Sequence, residues 1–448
     1  MAQLDEARTI SDTVAAHVSD HNQLHTKANY VFDVKDYGAV GDGSTDDSTA
    51  IQSAMTAATG TVCYMPPGTY RANSLSLPAN TELSAEGVTI ERHATSSDAV
   101  VAAAGGSYIH GLTISGRNTT LTGASGESGL YVTGDATIVE RVTSSLNYHH
   151  GIRMSGDDGW IDKCTSFSNG ENGDTAGNGT GDGIYILNGD NVRITNCWTY
   201  LNDRTGIVAT TFDGGGTDET LSTGLICSGC FSELNVYNDV NFEGVSFAQI
   251  TDLRCPSDTG DLIFSTSDDM TISNYQGASL YAQNSDRVTV NGVEIRTTDT
   301  ATAFFVAGLR PQIDNVRIVG SGAQTSNAFE VVDTTDYSGM VANISVDTCN
   351  NGVVLNGVSE VKNIHTDNVG NVNWRVGRAG GTGTTSIYLD NMVESKLTVY
   401  DDAAPSTGWW DRGDRAYDRS PTAGSTMGWV CTTAGSPGTW KTFGAITA

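Results

Sequence analysis

Asp182, Asp239 and Glu243 are the carboxylates whose positions could do chemistry. Asp182 directly precedes an alternating segment that starts at Ile184, and Asp239 and Glu243 flank another that starts at Val240. Two carboxylates held several ångströms apart can divide the breaking of a glycosidic bond, one protonating the leaving oxygen and the other activating water. Asp182 with Glu243 or Asp239 is therefore the expected acid/base pair. His150 holds the place of Asp182 one segment earlier. Together with Arg153, Tyr185 and Arg204 it would orient acidic or hydroxyl groups of a substrate, and Asp203, Asn241, Asp157 and Asp158 complete the expected binding set.

These residues need a scaffold that brings short segments side by side. From residue 150 onward a pattern recurs, as in "GIRMSGDDGWIDKCTSFSN" and "GIYILNGDNVRITNCWTYLN": an alternating strand, a polar turn and a second alternating strand, often with Asn or Cys near the next corner. Strand starts at Ile152, Ile184, Ile207, Val240, Leu262, Tyr281, Phe305, Phe329, Val353 and Trp374 are separated by 32, 23, 33, 22, 19, 24, 24, 24 and 21 residues. A basal period in the low twenties, with two repeats lengthened, marks a solenoid in which each repeat adds one coil. The leucine-rich-repeat frame is absent, which leaves a parallel β-helix.

Alternation then points Ile152 and Met154, Ile184 and Ile186, and Ile207 and Ala209 inward, and turns Arg153, Tyr185 and Val208 to solvent. The longer repeats carry "NGENGDTAGNGTGDG" at 169–183 and "TTFDGGGTDETLSTG" at 210–224, insertions that would wall a groove beside the candidate residues. Cys164 and Cys197 follow their strand starts by 12 and 13 residues, a spacing that reads as a buried thiol stack. Cys227 and Cys230 form a single C-x-x-C without a second ligand pair, so the sequence calls for no metal, and it calls for no cofactor.

Composition agrees with a long β-rich object. There are 52 Gly but only 8 Pro, and Thr, Val, Ile, Asn and Asp recur throughout the middle of the chain. The formal net charge of −28 argues against nucleic-acid binding, which needs clustered Lys and Arg. Self-repulsion of that size is relieved by salt, so the balance suits a protein working at high salt, such as one from a halophile. No apolar run is long enough to cross a bilayer, and no P-loop or dinucleotide fingerprint is present.

Near the start, "YVFDVKDYGAVGDGSTDDSTAIQSAM" combines an alternating Val31, Asp33 and Lys35 with a tight Gly-Asp-Gly turn. Asp46 or Asp47 is placed to cap a short helix, and Ile51, Met55 and Ala58 share one face of it. This stretch, with the "GTVCYMPPGTY" that follows, resembles the beginning of the pectate-lyase-like right-handed β-helix proteins found among polygalacturonases and phage tailspikes. The resemblance implies that the helix caps the open end of the solenoid and that the aspartates of the turn are structural. "GTGDGI" resembles a strand start of the polygalacturonases, but the Gly-His-Gly and Arg-Ile-Lys signatures are absent.

The expected architecture is all-β: a right-handed parallel β-helix solenoid over 30–400, with a capping helix near 46–58. A short helical coiled-coil stem would occupy 1–29, and a small Trp-rich β cap 401–448. Ile10, Val14, His17, His21, Leu24 and Ala28 follow a 4-3 seam, which predicts association with further helices, and "HVSDHNQLHTKANY" resembles the stem of viral tail proteins, a resemblance that implies a homotrimer. The expected function is that of a virion tailspike that binds and cleaves a host cell-surface polysaccharide, located in the virion tail or outside cells. A trimeric adhesin that only binds a surface glycan or glycoprotein is the alternative, and a secreted hydrolase or lyase the third. The expected partners are the host glycan, further copies of the chain, and a virion tail or baseplate protein reached through the stem, with no nucleic acid and no membrane insertion.

Overall fold

In the computed structural model, residues 30–448 are described apart from 94–97, 117–127, 171–180, 212–221, 257–260, 299–301, 322–327, 334–338, 350–352, 357, 368–374, 378–397, 407–409, 411 and 448. The expected stem over 1–29, the strand start at Trp374 and most of both insertions lie outside the described residues. The chain divides into two units, residues 1–185 and 186–448.

In the first unit Val31–Asp33 pairs in parallel with Val62–Tyr64, and the chain between them forms a 3-10 turn, Val34–Tyr37, and the helix Ser48–Ala57. Lys35, expected in the strand, instead lies in that turn, because the Asp33 carboxylate accepts the Lys35 amide and turns the backbone. Ile51, Met55 and Ala58 are all fully buried. Asp47 occupies the position before the helix, yet its carboxylate accepts from the amides of Val40 and Gly41 at 2.6 and 3.0 Å. Asp46 accepts from the Ser48 amide and hydroxyl. Asp47 thus folds the preceding turn back on itself, while Asp46 holds the first residue of the helix.

Beyond this entry the coils stack in register. Leu75, Val101, Leu130 and Ile152 are successive partners on one strand ladder, and Cys63, Leu83, Ile109, Val139 and Ile161 on another. All are essentially without solvent exposure. The second unit repeats the scheme with Ile207, Val240, Leu262, Leu280, Phe304, Phe329 and Val353. Its other ladder runs Ile194, Cys227, Ile250, Ile272, Val290, Ile313 and Val341. Burying each such side chain contributes roughly 1.5–3 kcal/mol. In the coils expected to start at Tyr281 and Phe305 the strands begin one or two residues earlier, at Ser279 and Phe304. Leu280 and Phe304 face in there, while Tyr281 and Phe305 stack outside at 4.5 Å.

Single residues in the left-handed conformation turn the chain between strands, as at Asn196, or bend it within a continuous strand, as at Asn274, Asn315 and Asn343, with φ of 53–54°. Asn visits that region at the least cost after Gly. A second corner type is built from Ser and Asn. Ser144 donates to the Gly151 carbonyl, Ser166 to that of Gly183 and Ser232 to that of Asp239, at 2.7, 2.7 and 2.8 Å. Asn147, Asn169 and Asn235 each donate to the serine three residues earlier. A Cβ at Gly151 would overlap Ser166 Oγ, so this corner needs glycine for space. All eight cysteines are buried free thiols.

The C-terminal residues form a four-stranded sheet. Thr398–Asp401 pairs in parallel with Arg415–Asp418, and Thr426–Thr433 and Thr439–Ala445 follow antiparallel. Trp410 is buried and meets Trp440 edge to face with ring centroids 5.0 Å apart.

Candidate functional site

The first unit gathers a cluster of aromatic, cationic and acidic side chains where the Ser-Asn corner feeds the strand Ile152–Met154. The Gly151 amide donates to the Asp182 carbonyl, so the residues that precede two successive strands lie side by side. This backbone placement brings His150 Nδ1 within 3.1 Å of Asp182 Oδ2. His150 is 3% exposed and Asp182 has no exposure at all. The Nδ1 position is not aligned for a hydrogen bond, so the contact is an ion-pair distance that a modest rotation would convert into one.

Tyr185 lies flat on His150, with ring centroids 4.3 Å apart and planes within 5°. The Arg153 guanidinium sits 4.7 Å from the Tyr131 ring centre and 5.8 Å from that of Tyr185. Tyr185 was expected to face solvent and is instead buried, because its outward ring is covered by His150. Val208, also expected outside, is buried as well.

His149 completes the cluster and was not anticipated. Its ring meets His150 edge-on at 5.6 Å and Tyr148 at 5.7 Å, and its Nε2 is buried with no hydrogen-bond partner. Burial, with the neighbouring His150 and Arg153, pulls its pKa down to about 4, and Asp182 only partly offsets this. His149 is therefore neutral near pH 7. The consecutive histidines in "NYHHG" were the available signal, but alternation assigns no face to residues before a strand begins.

The other expected site residues occupy their own surroundings. In the second unit Asp239 is 1% exposed and its Oδ1 accepts from Asn235 Nδ2 at 2.7 Å, which ties it into the Ser-Asn corner. Glu243 and Asn241 are half-buried, in register with Ser265 and Ile263. Asp203 and Arg204 are half-buried in a corner where the Arg204 carbonyl accepts from the Tyr237 amide. In the first unit Asp157 and Asp158 form a surface turn, Asp157 accepting from the Ala136 amide and Asp158 holding φ of 54°. Among the described residues no three His, Cys, Asp or Glu side chains converge as metal ligands would. No described helix is long and apolar enough to cross a membrane.

The register-matched ladders define a parallel β-helix carrying a histidine–carboxylate cluster at a strand entry. A family model described as "Rhamnogalacturonase A/epimerase, pectate lyase-like" matches residues 31–354, and the chain belongs to that family. A 52-residue stretch is 46% identical to mannuronan C5-epimerase AlgE6 of Azotobacter vinelandii, covering 11% of this chain and only 6% of that protein. Among solved structures, the A-module of the same epimerase matches with a TM-score of 0.55 at 19% identity, over 78% of this chain and 100% of the module. PfbA, a surface adhesin of Streptococcus pneumoniae, matches at 0.54 and 16% identity, over 76% of this chain and 90% of its own. The N-terminal fragment of bacteriophage Phi29 gene product 12 matches at 0.52 and 16% identity, over 82% and 74%. At these identities the structural likeness shows the fold.

Proposed function

We propose that this protein is a tailspike of a virus particle that binds a host cell-surface polysaccharide and cleaves it at the cluster around His150. The observation that carries the reading is the buried His150–Asp182 contact beside Arg153. The modest rotation that lets Nδ1–H donate to Asp182 would hold the imidazole in one tautomer and leave Nε2 for proton exchange with substrate. Asp182 has no surface of its own to offer, so its proton work passes through His150 and it acts as a positioning residue. The Arg153 fork, lying over aromatic rings, is suited to grip a carboxylate or paired hydroxyls. Membership of a family whose description joins a rhamnogalacturonase and an epimerase supports a polysaccharide ligand.

The homotrimer, the attachment to a tail or baseplate protein through residues 1–29, and the high-salt source belong to the same proposal. They rest on the seam and the charge seen in the sequence. A binding-only adhesin is favoured by one specific fact. Of the three carboxylates expected to act as acid and base, Asp182 and Asp239 are buried and Glu243 alone has access to solvent. Release of reducing ends, together with ultraviolet absorbance from unsaturated products, should be measured on envelope polysaccharides of candidate hosts. Turnover by the wild type that His150→Asn abolishes supports cleavage at this cluster; binding without any turnover supports the adhesin.

A further inference from the structure

The outer surface of the second unit carries a distinct arrangement of aromatic and cationic side chains. Trp198, Phe231, Arg254 and Gln276 are consecutive partners in one outward-facing column. The same column continues through Glu294, Arg317 and Ser345, all polar. The aromatic rings are thus confined to its first two positions.

Trp198 is 43% exposed and is held in place by its neighbours. The Tyr200 ring lies 4.6 Å away at a tilt of 35°, and Phe231 meets it edge-on at 6.2 Å. An exposed indole braced by two rings has little rotamer freedom left to lose when a ligand settles on it. Its flat apolar face suits the C–H face of a pyranose ring; Glu233, the partner of Tyr200 in the next coil, and Gln276, the partner of Arg254 further along, supply polar atoms for hydroxyl groups.

Charge selects among sugars. Arg287, Arg296 and Arg317 are each paired with Asp269 or Glu294 at 2.6–2.8 Å. Arg193 and Arg254 are exposed and have no ion pair among the described residues. In a chain of net charge −28, an exposed arginine with no ion pair among the described residues, two coils from an exposed indole, is complementary to an anion from outside. Two coil spacings, about 9.5 Å, separate the backbones of Trp198 and Arg254, a gap spanned by an arginine side chain and one or two sugar rings.

We propose that Trp198 and Arg254 form a binding site for an acidic polysaccharide, with a pyranose ring on the indole and a sugar carboxylate on the guanidinium. This rests on the reading of the protein as a glycan binder and adds a site that holds the chain without cutting it. Affinity electrophoresis through gels containing polygalacturonate, with neutral dextran as control, tests it. The wild type is expected to be retarded by polygalacturonate and not by dextran, and ligand should shift its tryptophan emission. Trp198→Ala should weaken retardation about tenfold, a loss near 1.4 kcal/mol. Arg254→Gln should remove most of the salt dependence of binding. Both positions are on the surface, so unchanged melting is expected of both variants. His150→Asn should abolish cleavage yet leave retardation intact, which separates failure of the catalytic reading from failure of this one. Three results would overturn the proposal: a wild type that polygalacturonate does not retard, retardation unchanged in both variants, or a Trp198→Ala variant whose sedimentation changes, which would mark the surface as a contact between copies.

Discussion

His110 and His149 lie in the same unit, both with little solvent access, and their surroundings drive them in opposite directions. His110 Nε2 sits 3.1 Å from Glu82 and its Nδ1 3.2 Å from Glu86, while Tyr108 stacks on the ring at 4.6 Å. Burial works to lower its pKa, but the hydrogen bonds and charges of Glu82 and Glu86 prevail and raise it. Glu86 is in turn held by Arg141 at 2.5 Å, and Arg141 by Glu140 at 2.6 Å. His149 has no such partners: His150 and Arg153 reinforce its desolvation, and it loses its proton instead. One residue type therefore holds its proton more tightly on a polar face and gives it up more readily in a buried aromatic cluster, depending on which neighbours the coil register supplies.

The largest expected effect breaks the reactive side of this contrast. Asp182→Asn removes the charge against His150 Nδ1 while keeping the volume, and turnover of the cleaved polysaccharide should fall roughly 10²–10⁴-fold, with retardation by ligand unchanged. A reducing-end assay decides this, and full activity in the variant would place the chemistry elsewhere.

His149 sharpens the comparison through pH. Its folded pKa of about 4 lies below the unfolded value, so between about pH 6.5 and 4 the unfolded chain binds more protons than the folded one. Stability should fall as pH drops through that window, by a total on the order of 2–3 kcal/mol. His149→Phe removes both the titration and an unpartnered buried nitrogen. It should flatten the acid limb of the melting curve and raise stability at neutral pH by about 1 kcal/mol. Increased stability with reduced turnover would show that His149 is retained for function.

The smallest effect concerns His110. Its folded pKa is raised, so its contribution is fully present below the unfolded value near 6.5 and is lost as pH rises through the folded value. His110→Gln should lower stability below about pH 6 by roughly 1 kcal/mol and make little difference at pH 9. Turnover should not change, and calorimetric melts at the two pH values check the sign.

Much of the scaffold was legible in the sequence because coil stacking repeats its own pattern. Ile152, Ile207, Val240 and Leu262 could be assigned inward, since β alternation is local and the period is short. The adjacency of His150 and Asp182 was also readable, because each stands just before its strand. Tyr185 escaped, since alternation tells which way a side chain leaves the backbone but not whether a residue of a neighbouring coil covers it. Lys35 and Asp47 escaped because side-chain hydrogen bonds to nearby amides overrode strand and cap preferences. His149 escaped because it lies in a corner, where no periodicity assigns a face.

The Ser-Asn corner closes over very different lengths of chain. Ser144 and Ser232 reach a carbonyl 7 residues ahead, whereas Ser166 reaches one 17 residues ahead with the same 2.7 Å bond as Ser144. Lengthening a loop between fixed ends costs only about 0.6 kcal/mol per doubling. The corner therefore works as a suture that holds the solenoid shut regardless of what is stitched between its edges. A lineage carrying such sutures can exchange the intervening segment as a cassette while its stacked interior stays as it was.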